Sequence, residues 1–208
     1  MILIGQYDSP FVRRVGVALR LYDIAFEQWP WSTFGDADRL RPYNPLTRVP
    51  TLVLDDGEVL IDSHIIIDHL DSLVPAERRL FPVAEPARRK ALKVATLATG
   101  MSDKAVSLFY EKRLHTEISD AWAKRCRMQI DAVLSVLEAD RAAHTTAYWF
   151  GEDIGHADIA VAAGLGFIVE AHPGLMDMAN YPALDRHRRR LESLPVFKDI
   201  YQAFIAPA

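Results

Sequence analysis

Two patterns of apolar positions divide this chain into a first part of short elements and a second part of long helices. Up to residue 75, short apolar runs alternate with a segment in which Val12, Val15 and Leu19 share one helical face. Such alternation is typical of an α/β unit, which we predict over residues 1–75. The predicted strands are Ile2–Ile4, Ala25–Trp29, Thr51–Leu54 and Val59–Ile61, and the predicted helices are Phe11–Leu21, Asp36–Arg41 and Ser63–Leu73.

Strand patterns stop after this unit. Three prolines and mixed charges between Val74 and Pro86 show no sustained period, so we predict a linker over residues 76–86. The long amphipathic segments that follow predict an all-α domain over residues 87–208. Its predicted helices are Ala87–Leu114, Glu117–Ala143, His156–His172, Pro182–Ser193 and Val196–Ile205.

Composition limits the classes of protein to consider. With 208 residues, 50% of them apolar, the chain can bury a sizeable core without disulfide bonds. Its one cysteine, Cys126, excludes an intramolecular disulfide framework and fits a reducing, cytoplasmic location. No apolar run approaches the ~20 residues of a membrane span, and Met1 opens directly into a strand without a signal-peptide pattern.

Charge and histidine spacing indicate no nucleic-acid or metal partner. The net charge is −4, and basic residues are interleaved with acidic ones along most of the chain. The basic run at 186–190 wraps around a predicted helix and is interpreted as a solvated face. The seven histidines form no metal-ligand pattern, and we interpret them as structural.

The segment from Arg48 to Asp68 carries the first candidate site. It predicts a hairpin that leads into a helix with Asp62 and Ser63 at its start, where helical N–H groups are free. Such a corner can hold an α-carboxylate on Ser63 and an ammonium group on Asp62. Pro50 is tolerated at the start of an edge strand. If its peptide bond is cis, the unpaired backbone of Val49 can pair with a peptide.

Ser9 is the second candidate. It precedes Pro10, a favoured first helical residue, so its spacing predicts an N-cap that faces the positive end of the helix. A hydroxyl there can act as a helix cap or as a donor to an anion, and spacing alone leaves both roles open. Asp158, three residues after Gly155, forms half of a second capping motif and is interpreted as structural.

Three ordered motifs resemble the cytosolic glutathione transferases. They are MILIGQYDSPFVRRVGVALRLYDIAFEQW at the N-terminus, PYNPLTRVPTL in the middle and YWFGEDIGHADIAVAAGL near the C-terminus. The resemblance covers nearly the whole chain. It implies a thioredoxin-like α/β N-terminal domain, which binds glutathione as co-substrate, and an all-α C-terminal helical bundle.

The resemblance also implies roles for particular residues. In serine-type members with a Ser-Pro-Phe motif, as at Ser9, the serine hydroxyl donates to the glutathione thiolate; Tyr7 is the competing candidate. Val49 and Pro50 would pair with the cysteinyl backbone. Asp62 and Ser63 would hold the γ-glutamyl end. Arg48 would meet the glycyl carboxylate, or lie solvated in its loop.

The resemblance therefore implies a glutathione transferase that acts on a small hydrophobic electrophile, and it also implies a homodimer. Candidates to line the electrophile pocket, or simply to pack in the core, are Phe11, Phe34, Met101, Tyr110 and Trp122. The alternatives are a non-enzymatic binding or regulatory protein and a glutathione-dependent isomerase or dehalogenase. Because Ser9 replaces the cysteine of cysteine-type members and Cys126 lies mid-helix, thiol–disulfide exchange is excluded. No metal is expected.

Overall fold

The computed structural model describes residues 1–206 and contains a small mixed sheet beside a bundle of long helices. The last two residues of the predicted 87–208 domain lie outside the described range. The N-terminal elements are β1 (Ile2–Ile4), α1 (Pro10–Leu21), β2 (Glu27–Trp29), α2 (Ala37–Leu40), β3 (Thr51–Val53), β4 (Val59–Ile61) and α3 (Ser63–Ser72). The helical elements are α4 (Ala87–Leu114), α5 (Asp120–Ala142), α6 (His156–Ala171), α7 (Pro182–Ser193) and α8 (Pro195–Asp199).

The sheet has the strand order β2-β1-β3-β4. Strand β1 is parallel to β2, whereas β3 is antiparallel to both β1 and β4, with Leu52 opposite Leu3 and Leu60. A parallel β1–β2 pair requires a crossover, which helix α1 provides. The α/β thioredoxin-like domain and the all-α bundle predicted from sequence are both present.

One predicted element is wrong. The helix expected over Val196–Ile205 ends at Asp199, and residues 201–206 are not helical. The side chain of Arg13 takes the carbonyl oxygens of Phe197 and Ile200 as acceptors, with N···O distances of 3.1 and 3.0 Å. Because these carbonyls are then satisfied by a side chain, the end of α8 is stabilised without a further helical turn.

The buried apolar residues in the described part of the chain form three clusters. The first packs the sheet against α1 and α3, the second lies among α4, α5 and α6, and the third joins α1 to α6, α7 and α8. Val17, Ile159, Leu191 and Phe197 of the third cluster are completely buried. The two domains therefore share a continuous apolar interface.

Gly5 allows the end of β1 to approach two other elements. Its φ is +135°, and an added Cβ would lie 2.5 Å from Val12 Cγ2 and 2.9 Å from Val49 Cβ. Any larger residue would separate the start of α1 from the loop before β3. This close approach at Gly5 brings Ser9, at the start of α1, and Val49, in the loop before β3, to the same end of the sheet. No helix in the described part of the chain is long and apolar enough to cross a membrane.

Candidate functional site

A cleft runs between the two domains and contains two adjoining cavities of about 1030 and 370 Å³. The side chains common to both are Phe11, Arg48, Val49 and Asp103. Ser9 lines the larger cavity, and Asp62 and Ser63 line the smaller one. The candidate residues from three separate segments of the sequence thus face one cleft.

Ser9 is the N-cap of α1. Its backbone is extended, with φ −71° and ψ 124°, and its hydroxyl oxygen accepts a hydrogen bond from Val12 N at 3.4 Å. Pro10 occupies the first turn, as the sequence predicts. Since the hydroxyl oxygen is the acceptor in this contact, its hydrogen can be donated to a group in the cavity.

Tyr7 does not line the larger cavity, although its chain neighbours Gln6 and Asp8 do. Its ring packs toward α1 and the end of α8, where a Cβ added at Gly16 would lie 3.1 Å from Tyr7 Cε1. Burial raises the pKa of its phenol, which makes ionisation of Tyr7 harder. The ring is therefore directed into an apolar interface and away from Ser9's cavity.

The Val49–Pro50 peptide bond is cis, as the sequence analysis considered. Val49 lines both cavities, and the ladder between β1 and β3 begins only at Thr51. The buried side chain of Asn44 supports this loop, donating to Arg48 O at 2.8 Å and to Thr51 Oγ1 at 3.0 Å. This supporting role of Asn44 was not predicted from the sequence.

The corner at the start of α3 contains both predicted residues. Asp62 is the N-cap with φ +68°, and its Oδ1 accepts from His64 N at 2.8 Å, while its side chain stays exposed to the smaller cavity. Ser63 is 3% exposed, and its Oγ accepts a hydrogen bond from Arg14 Nη1 at 3.3 Å. A carboxylate, a hydroxyl and the free N–H groups of a helix start are therefore adjacent.

Arg48 reaches across the cleft toward α4. Its Nη2 lies 3.9 Å from Asp103 Oδ1, and Lys104 Nζ lies 2.9 Å from the other carboxylate oxygen of Asp103. The Arg48 side chain is 63% exposed, so this ion pair contributes little to stability. Its position leaves an exposed cationic group where the two cavities meet.

The far part of the larger cavity is mainly aromatic. Three of the five predicted candidates line it, namely Phe11, Phe34 and Tyr110. The other two do not: Met101 is fully buried in the bundle core, and Trp122 lies on the exposed face of α5 beneath Lys104. Aromatic rings that the sequence analysis did not identify complete the wall, and these are Trp31, Phe109, Phe167 and Phe204.

Asp8 is a further cavity residue that the sequence analysis missed. Burial raises the pKa of its carboxyl, against the effect of hydrogen bonds from backbone N–H groups. One of these comes from Ile205 N, 3.1 Å from Asp8 Oδ2, and Ile205 also lines the cavity. A contact across 197 positions has no local sequence signal.

Within residues 1–206, no group of three or more His, Cys, Asp or Glu side chains could hold a metal ion.

Comparison with known protein families agrees with this architecture. The model of the glutathione S-transferase N-terminal domain matches residues 3–78, and that of the C-terminal domain matches residues 120–190. An uncharacterized GST-like protein of Escherichia coli (strain K12), YibF, is 30% identical over 169 residues, which cover 81% of this chain and 82% of that protein. The chain belongs to the glutathione S-transferase family.

Solved structures show the same fold. A glutathione transferase family member from Pseudomonas fluorescens Pf-5 with bound glutathione is 31% identical, with a TM-score of 0.81 over 96% of this chain and 97% of that one. A glutathione S-transferase from Methylobacterium radiotolerans in complex with glutathione sulfonate is 27% identical, with a TM-score of 0.90 over 100% of this chain and 98% of that one. A probable maleylacetoacetate isomerase of Caenorhabditis elegans is 24% identical over 94% of this chain and 90% of that protein.

Proposed function

We propose that this protein is a glutathione transferase that activates the thiol of glutathione for attack on a small hydrophobic electrophile. The observation that carries the proposal is the common cleft, into which Ser9, the Val49–Pro50 edge and the Asp62–Ser63 corner all open. The solved relatives that hold glutathione or glutathione sulfonate support the same ligand for this chain.

Glutathione would lie along the cleft with its γ-glutamyl end in the smaller cavity. There the ammonium group meets Asp62, and the α-carboxylate meets the Ser63 hydroxyl and the first N–H groups of α3. The main chain of the cysteinyl residue pairs with Val49 as a short strand. Arg48, which lines both cavities, would meet the glycyl carboxylate.

The chemistry requires a thiolate. A free thiol has a pKa near ~8.5, so only a few per cent is ionised at neutral pH. Lowering that pKa by two units requires about 2.7 kcal/mol of preferential thiolate stabilisation. The Ser9 hydroxyl and the positive end of α1 would supply it together, since both act on an anion in the larger cavity. Tyr7 is the less suitable donor because its ring packs away from that cavity.

The aromatic part of the larger cavity would bind the electrophile beside the thiolate. Phe11, Phe34 and Tyr110 present apolar surface there, and holding both reactants raises the rate through proximity. Cys126 is fully buried in the bundle core, so no protein thiol takes part.

We also propose a glutathione-binding domain at 1–75, a linker at 76–86 and a helical domain at 87–208. A homodimer and a cytoplasmic location stay predictions.

The decisive experiment is a titration of the thiol of bound glutathione, followed through the ultraviolet absorbance of the thiolate. In the wild-type protein we expect a thiol pKa at least about one unit below the free value. Ser9→Ala should restore the free value, whereas Tyr7→Phe, the matched control, should leave the lowered pKa unchanged.

Each other outcome has a definite meaning. Binding with an unshifted thiol would reject the catalytic assignment and leave a transferase fold used for recognition, which is the non-enzymatic alternative. A thiol pKa restored by Tyr7→Phe and not by Ser9→Ala would transfer the role to Tyr7. The isomerase or dehalogenase alternative shares the thiolate and differs only in the substrate that is turned over.

A further inference from the structure

Asp8 places a carboxylate in the wall of the larger cavity, directly beside Ser9. The side chain is half-buried, and its Oδ2 accepts a hydrogen bond from Ile205 N at 3.1 Å. Burial raises the pKa of this carboxyl, whereas the hydrogen bonds from backbone N–H groups favour its ionised form. The carboxylate is therefore held in one place in the cavity that would receive the electrophile.

No cation of the described chain neutralises Asp8. It takes part in none of the ion pairs formed within residues 1–206. The charge that acts on its pKa is that of Glu170, a second carboxylate, which raises the pKa further. Glu170 itself accepts hydrogen bonds from Tyr201 and Phe204 N. This end of the cavity thus has an excess of negative charge.

The other charged side chains of the larger cavity lie at its junction with the smaller one. Within residues 1–206 they are Arg48 and Asp103, which lie 3.9 Å apart and line both cavities. In the proposed complex the glycyl carboxylate of glutathione occupies Arg48. Asp8 is then the charged group that the described residues present to an electrophile in the rest of the cavity.

The wall beside Asp8 is made of aromatic rings. Five of them form a chain of edge-to-face contacts with centroids 4.9–6.2 Å apart, namely Phe34, Tyr110, Phe109, Phe204 and Phe167. Phe204 directly precedes Ile205, whose N–H group donates to Asp8, so the aromatic wall extends to the carboxylate. The faces of aromatic rings carry partial negative charge and attract cations. Rings and carboxylate together therefore favour a positively charged ligand and disfavour an anion.

We propose that Asp8 is a specificity-determining residue, which makes the site select aromatic electrophiles that carry an ammonium group and reject those that carry a carboxylate. The ammonium group would lie between Asp8 and the aromatic wall while the reacting carbon faces the thiolate near Ser9. This inference rests on the proposed transferase function, and it names the substrate class of the same site.

The test uses three 4-chloro-3,5-dinitrobenzamides that differ only in the group on the amide nitrogen. This group is 2-(trimethylammonio)ethyl in the cationic compound, 3,3-dimethylbutyl in its neutral isostere and 2-carboxyethyl in the anionic compound. In each reaction the thiol loses its proton to solvent, the thiolate forms a C–S bond, and the C–Cl bond breaks with release of chloride. The reacting carbon is the same in all three, so differences in kcat/KM report on the distant charge.

Each kcat/KM is divided by the rate constant of free glutathione with the same compound. In the wild type we expect this ratio to be about 10-fold or more higher for the cationic than for the anionic compound, as for charges about 7 Å apart in a partly hydrated cavity. Asp8→Asn keeps an acceptor for Ile205 N but removes the charge. It should reduce the preference to within about threefold, with the cationic compound slowed and the anionic one accelerated relative to the neutral isostere.

Glu170→Gln is the matched control. It makes the same carboxylate-to-amide change at the other carboxylate that binds residues 201–206, but Glu170 does not line the larger cavity. The preference for the cationic compound should stay within about threefold of the wild-type value. Any effect of Asp8→Asn on the thiol pKa would change all three compounds by the same factor and cancel in the comparison. If Asp8→Asn does not fold, the wild-type preference alone decides the question.

The outcomes separate this inference from the proposed function. An unshifted thiol pKa of glutathione bound to the wild type would reject the proposed function. If that pKa is lowered, the role of Asp8 is overturned by equal ratios for the three compounds, by a preference for the anionic one or by no turnover of the cationic one. A preference that persists in Asp8→Asn, or that is lost equally in Glu170→Gln, would also overturn it. The transferase assignment would stand in each of these cases.

Discussion

The ring of His187 is enclosed in the helical domain, where it packs at 86° to the ring of Trp149 with centroids 5.3 Å apart. Its Nε2 lies 3.4 Å from Asp158 Oδ1, yet neither ring nitrogen has a hydrogen-bond partner in the described structure. Burial, with a smaller effect from the charge of Arg141, lowers the pKa of His187 to about 3. The ring is therefore neutral in the folded protein.

We predict that the buried ring of His187 makes the folded protein less stable as the pH falls. The unfolded chain protonates His187 near pH 6.5, whereas the folded protein does so only near pH 3. The contribution of this neutral ring to the free energy of unfolding is thus fully present above pH 6.5. It is lost as the pH falls, by about 1.4 kcal/mol per pH unit, or roughly 2–3 kcal/mol down to about pH 4.5. His187→Phe should abolish that part of the loss, measured by urea unfolding at both pH values.

The matched control is His69→Gln, a substitution of a partly exposed histidine in α3. Its pH dependence should equal that of the wild type. If His187→Phe loses as much stability on acidification as the wild type, then the buried ring does not account for the acid sensitivity.

At the scale of elements, the chain after α8 forms a C-terminal strap, defined as residues 201–206. Glu170 of α6 accepts hydrogen bonds from Tyr201 Oη at 3.2 Å and from Phe204 N at 2.8 Å. Asp8 accepts from Ile205 N, and the ring of Phe204 meets that of Phe109 at 4.9 Å. The strap therefore closes one side of the larger cavity through contacts with two carboxylates.

We predict that Glu170→Ala releases the strap, because it removes both acceptors that Glu170 provides. Amide hydrogen exchange at residues 201–206 should accelerate by about tenfold or more, which corresponds to loss of one to two hydrogen bonds to a charged group. The affinity for glutathione should be unchanged, since Glu170 does not line the smaller cavity.

Glu152→Ala, at an exposed position in the turn before α6, is the control and should leave exchange in the strap unaltered. Unchanged exchange in Glu170→Ala would mean that the aromatic contacts of Phe204 and the hydrogen bond from Ile205 N to Asp8 hold the strap without Glu170.

At the scale of the whole molecule, a buried polar network joins the domains. Tyr22, the residue after the end of α1, donates its hydroxyl hydrogen to Asp71 of α3. His156 Nε2 of α6 lies 2.9 Å from the same carboxylate oxygen. Tyr22 Oη also accepts from Leu80 N at 2.9 Å. Burial raises the pKa of the Asp71 carboxyl, but the hydrogen bonds and charge of its partners outweigh this, and the net pKa is lowered. Asp71 is therefore the anionic centre of the interface.

We predict that Asp71→Ala lowers the free energy of unfolding by about 3 kcal/mol, because it leaves two buried donors without their shared acceptor. For a chain of this size that corresponds to a melting temperature roughly 6–12 °C lower in calorimetry. Asp68→Ala, an exposed position in the same helix, should change stability by less than about 0.5 kcal/mol. Equal stability of the two variants would show that the apolar contacts at the interface suffice.

Much of the fold was predictable from the sequence, because its elements depend on residues a few positions apart. The bounds of α4 and α7 agree with the predicted ones, and the other helices and strands, α8 excepted, begin and end within three residues of theirs. The capping contact of Asp158 with Gly155 N, at 2.9 Å, was equally local. These features follow from periodicity and helix-cap chemistry.

The elements, the helix caps and the family resemblance could therefore be predicted from local sequence, whereas the direction of individual side chains depends on the tertiary structure. Arg13 and Arg14 are adjacent and look equivalent in sequence, yet one is neutralised by Glu192, 179 positions away, and the other lies behind Ser63. Likewise, α8 ends before its predicted last residue, at the point where Arg13 donates hydrogen bonds to the carbonyl oxygens of Phe197 and Ile200. Each of these outcomes depends on which distant groups meet in the core, and no local pattern encodes that.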